Sequence, residues 1–89
     1  MRYTKTTLRT LETLVEEGGY RLRAEKGNFA PGHCIIQSAR VVVVNKYFDT
    51  EARILALLDL IPQLDLDHDA LSDASKEMLH TVLEIESGA

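Results

Sequence analysis

Four consecutive valines at residues 41–44 constrain this chain more than any other feature of its sequence. Valine is stiff at χ1 and favours extended backbone, and a strand turns successive side chains to opposite faces. An unbroken valine run therefore presents apolar surface both above and below a sheet, where a half-solvated strand would alternate apolar with polar residues. The pattern predicts a strand ending near Asn45 with helices over one face and something else, further chain or a second subunit, over the other.

Two more extended segments precede it. Tyr20, Leu22 and Ala24 alternate with Arg21, Arg23 and Glu25, which reads as a strand with one charged face. Residues 26–32 are rich in turn formers, and His33-Cys34-Ile35-Ile36-Gln37 resumes the extended pattern, so the two segments are expected to form a hairpin. A short connection at residues 38–40 then leads into the valines.

Helical spacing frames these strands. Leu8, Leu11, Leu14 and Val15 form a narrow apolar stripe over residues 4–17, and Gly18-Gly19 offers the left-handed residue that ends such a helix. After Asp49 or Thr50 as a cap, Ile54, Leu57, Leu58 and Ile61 repeat the stripe, widened by Leu55 and Leu60 and stopped by Pro62. Residues 63–68 read as a connector. A last helix begun by Asp69 or Ser72 would turn Leu71, Met78, Leu79, Val82 and Leu83 inward, with residues 87–89 as a frayed tail.

The expected fold class is α+β in the order αβββαα: a three-stranded antiparallel meander with helices packed mainly on one face. At 89 residues the chain suffices for one domain spanning residues 1–89 and for no second one.

No segment approaches the roughly 18 apolar residues of a membrane span, and no apolar leader follows Met1, so no membrane partner is expected. The single cysteine, Cys34, fits a reducing, cytoplasmic setting. Charge is divided along the chain. Residues 1–46 hold 8 basic and 4 acidic side chains, +4, and residues 47–89 hold 2 basic and 10 acidic, −8, which together give the net −4. Opposite patches of this kind steer association between subunits, and the acidic half makes a nucleic-acid partner an unfavourable expectation.

The polar residues with most potential for chemistry fall in two places. Arg21, Arg23, Glu25, Lys26 and Asn28 belong to the first hairpin, and Asn45, Lys46, Glu51 and Arg53 surround a strand-to-helix junction. Free backbone N–H groups at a helix start, with Lys46 or Arg53 nearby, could hold a small anion, although residues 46–49 lack the glycines of a phosphate-cradling loop. His33 and Cys34 are adjacent in an extended segment, so their side chains diverge and cannot form a dyad with each other. Asp65, Asp67 and Asp69 occupy the first positions of a calcium-loop pattern, but Ala70 and Lys76 stand where a glycine and a glutamate are required. The histidines and the cysteine have no metal-ligand spacing, so no metal, no cofactor and no catalytic residue is assigned.

The string Tyr20-Arg21-Leu22-Arg23-Ala24-Glu25-Lys26-Gly27-Asn28-Phe29, then Gly32 and Cys34, the valines with Asn45-Lys46, and Glu51-Ala52-Arg53-Ile54 resembles a family of short, uncharacterised bacterial proteins. The resemblance covers residues 1–61 and implies no activity, ligand or mechanism. From the residues themselves, the expectation is a small, non-catalytic, homodimeric interaction protein. The alternative is an anion-binding module or small enzyme near Lys26, Asn28, Asn45 and Lys46, with Glu25 or Glu51 as acid or base.

Overall fold

The computed structural model describes residues 1–26, 35–38 and 40–87. Its elements are α1 (Lys5–Glu17), β1 (Arg21–Glu25), β2 (Ile35–Ser38), β3 (Val41–Asn45), α2 (Thr50–Leu60) and α3 (Asp73–Ser87). Two short 3₁₀ turns, Ile61–Gln63 and His68–Ala70, lie between α2 and α3. Ser87, expected in a frayed tail, is the last residue of α3.

The sheet departs from the expected antiparallel meander. Its strand order is β1-β3-β2, with β3 in the centre. β1 runs parallel to β3, pairing Arg21 with Val41 through Glu25 with Asn45. β2 runs antiparallel to β3, pairing Ile35 with Val43 and Ile36 with Val42, before a register shift brings Ser38 opposite Val41. The sheet is therefore mixed, and β1 and β2 form no hairpin.

The reason lies in the valines. A meander would place β2 in the centre and leave the most apolar strand along an edge, where unpaired backbone beside a flat apolar face invites aggregation. In the observed order β3 has hydrogen-bonded neighbours on both sides. The connections agree with this: two residues, 39 and 40, join β2 to β3 as a tight hairpin allows, whereas nine, 26–34, separate β1 from β2. That longer stretch must span two strand spacings, roughly 10 Å. Residues 27–32 of the expected hairpin loop, Asn28 and Phe29 among them, lie outside the described residues, as do His33 and Cys34 of the extended segment expected after it.

The core joins the inner sheet face to the helices. Leu8, Leu11, Leu14 and Val15 of α1 pack with Val42 and Val44 of β3, with Ile54, Leu57, Leu58 and Leu60 of α2, and with Leu79 and Val82 of α3. Helix α1 sits between the others, touching β1, α2 and α3. Two residues expected inward lie outside: Leu55 and Leu83 are exposed, because α2 and α3 each bury a narrower arc than their apolar composition offers.

α1 ends in a Schellman arrangement. Gly19 adopts φ 101°, Tyr20 N–H donates to the Val15 carbonyl at 3.2 Å, and Gly19 N–H donates to that of Glu16 at 3.1 Å. The neighbouring Gly18 serves a different purpose. A Cβ there would stand 2.5 Å from Leu66 Cδ2, and the Gly18 carbonyl accepts from Asp67 N–H at 2.9 Å. The bare backbone thus docks the connector, whose Leu66 is buried and not solvated.

Among the described residues no helix is long and apolar enough to cross a membrane.

Candidate functional site

The two groups of polar residues singled out in the sequence meet along the β1/β3 seam. Arg21, Arg23 and Glu25 share the face of β1 that carries Val41, Val43 and Asn45 on β3, opposite to the helix side where Leu22 packs on the core. Arg21 and Arg23 are exposed and Glu25 is half-buried. Arg23 approaches Glu25 at 3.6 Å, an in-strand pair two residues apart on one face. Val43 is buried on this outer face as well, and Val41 is half-buried there.

The top of the seam leads into the second group. Lys46 N–H donates to the Glu25 carbonyl at 3.0 Å, extending the parallel ladder by one bond. Asn45 Oδ1 accepts from Tyr47 N–H at 3.0 Å, turning the chain out of the strand, and Phe48 N–H donates to the Asn45 carbonyl at 3.1 Å. Tyr47 is 67% exposed, with the Lys46 ammonium 5.5 Å from its ring centre.

The start of α2 is already filled by protein groups. Asp49 Oδ1 accepts from Ala52 N–H at 2.8 Å, occupying the position where an anion would meet the helix. Arg53 turns its guanidinium to backbone: Nε donates to the Phe48 carbonyl at 3.1 Å and a terminal nitrogen to that of Lys46 at 2.9 Å. It clamps the β3–α2 turn. Glu51 stands exposed in the first turn of α2, where its charge suits the helix dipole. Glu12, half-buried on α1, has its carboxyl pushed above its ordinary value by burial, an effect partly offset by the Arg53 charge.

Two clusters were not legible in the sequence. Tyr20 is buried, its hydroxyl accepts from Asp65 N–H at 2.9 Å, and the Arg40 guanidinium lies over its ring at 5.0 Å. Arg40 also donates to the Asp65 carbonyl at 2.6 Å. Together they tie the strand entrance to the connector. The second cluster joins helix ends: Glu17 Oε1 accepts from Ser72 N–H at 3.0 Å, Ser72 Oγ at 3.0 Å and Ser75 Oγ at 2.5 Å. The Ser75 hydroxyl, then the Ser72 groups, hold the Glu17 carboxyl below its ordinary value. A Glu separated by more than 50 residues from its serines leaves no local signature. Asp67, part of the calcium-like triplet, instead caps a 3₁₀ turn by accepting from Asp69 N–H at 3.2 Å.

No family model, curated protein or solved structure matches this chain. Of the nine candidate residues, Asn45 and Arg53 are engaged with local backbone, and Asn28 lies outside the described residues. Arg21 and Arg23 keep exposed cationic heads on the outermost strand β1, and Lys46 is exposed at the end of the central strand β3.

Proposed function

We propose that this chain is a small, non-catalytic, cytoplasmic interaction protein that acts as a homodimer. The observation that carries the reading is the exposure of Arg21 and Arg23 on β1, a strand paired on one side only among the described residues. Exposed arginine at the margin of a sheet is suited to recognising another protein surface, because its planar fork pairs with carboxylates and loses little hydration. The division of charge supports the same reading. A chain with a basic first half and an acidic second half carries both signs needed for self-recognition, and two copies can meet with opposite charges apposed.

The experiment is sedimentation velocity over a range of protein concentration and salt. The expected result is a species of twice the 10.0 kDa chain mass at low ionic strength. It should dissociate more readily at about 0.5 M salt, where the screening length falls to a few ångströms. A monomer at every concentration would overturn the proposal.

A further inference from the structure

Resting on the homodimer reading, we infer that the dimer forms by antiparallel pairing of β1 with β1 of a second copy, joining two three-stranded sheets into a six-stranded one about a two-fold axis at Arg23. The backbone of β1 selects the residues. In a parallel ladder a residue turns both its N–H and its C=O to the same neighbour. Arg21 N–H donates to the Arg40 carbonyl at 2.8 Å, and the Glu25 carbonyl accepts from Lys46 N–H at 3.0 Å, so Arg21, Arg23 and Glu25 face β3. Leu22 and Ala24, of opposite parity, turn their backbone groups to the edge that no strand pairs among the described residues.

Only outward residues can make the hydrogen-bonded pairs of an antiparallel seam. Setting Leu22 opposite Ala24 of the second copy uses both on each chain and yields four main-chain hydrogen bonds. This register puts Arg23 opposite its own copy on the axis. It also puts Arg21 opposite Glu25, twice by symmetry, at non-hydrogen-bonded positions where facing side chains lie closest. Slipping by two residues in either direction leaves one hydrogen-bonded pair and sets Arg21 opposite Arg23 or Arg23 opposite Glu25. The hydrogen-bond count therefore favours the central register, and the charges count further against the slip that sets Arg21 opposite Arg23. The like-charge contact at Arg23 is relieved by its own-strand Glu25 at 3.6 Å. On the helix side, exposed Ala24 leaves room for Leu22 of the second copy.

The other edge is less suited. β2 carries a register shift between Ile36 and Ser38, and such irregularities obstruct edge pairing, whereas β1 is regular along its length. A seam of five residues is short, so the dimer is expected to be of about micromolar strength.

Ala24→Pro removes an outward N–H that β3 does not use and places a ring against the incoming strand. The expected result is loss of the dimer with unchanged far-ultraviolet circular dichroism. Arg21→Glu should weaken dimerisation about tenfold or more, and adding Glu25→Arg should restore it to within about threefold. In a Cys34→Ser background, Arg23→Cys should form a disulfide dimer on mild oxidation. Arg21→Cys should not, since its two copies would be about 13 Å apart along the seam. If Ala24→Pro fails to fold, the charge swap and the cross-link decide. A wild-type dimer that survives Arg21→Glu and gives no Arg23→Cys cross-link overturns the β1 seam and leaves the homodimer standing; a wild-type monomer overturns both.

Discussion

Gly18 and Gly19 are chemically identical neighbours with different duties, and the difference predicts different responses to the same substitution. At Gly18 an added methyl meets the Leu66 side chain at 2.5 Å and the Leu14 carbonyl at 3.2 Å, so the connector must move away. Gly18→Ala should cost about 1–3 kcal/mol in denaturant unfolding, the usual range for overpacking. Glu17, one residue earlier, makes a pH-dependent contribution. Its folded pKa lies below its ordinary value of 4.5, so the stabilisation is present above that value and is lost as pH falls below it. Glu17→Gln should therefore lower the melting temperature at pH 7 and shrink the difference from wild type as the buffer is taken below pH 4.5. An equal difference at neutral and acid pH would remove the carboxylate charge as its cause.

At the scale of elements, the turn from β3 into α2 depends on one side chain. The Arg53 guanidinium holds the carbonyls of Lys46 and Phe48, and these two bonds substitute for regular structure between strand and helix. Hydrogen bonds to a charged donor are worth about 1.5–3 kcal/mol each when a buried partner is orphaned, and less where water can replace the donor, as at the exposed Lys46. Arg53→Ala should thus cost about 1–2 kcal/mol in total, with faster amide exchange at Tyr47 and Phe48 as the local readout. Arg53→Lys should retain only part of the stabilisation, because an ammonium cannot reproduce the planar fork. The helices themselves were readable from spacing: the apolar stripes of α1 and α2, the Gly-Gly stop and the Pro62 boundary all act through neighbours in sequence. Burial of α3 was readable in part. Leu79 and Val82 face the core, whereas Leu83 is exposed, since the width of a buried arc is set by the partner helix and not by the helix's own composition.

For the whole molecule, amino-acid order accounts for the succession of strands and helices among the described residues, for where most of them start and stop, and for the burial of Val42, Val43 and Val44. These properties follow from local periodicity, capping and turn chemistry, each read within one or two turns of chain. The tertiary structure decided the sheet. Whether β1 pairs with β2 or with β3 depends on which strand gains most from two neighbours, a comparison among segments distant in sequence; the lengths of the two connections were the available signal for it. It also decided which polar groups stay exposed. Arg53 is drawn to carbonyls of the β3–α2 turn, Glu17 to serines more than 50 residues away, and Tyr20 to the connector, whereas Arg21 and Arg23 remain at the sheet margin. Sequence supplies the inventory of charges and apolar stripes, but pairing and solvation are set by long-range contacts, which exist only once the chain has closed on itself.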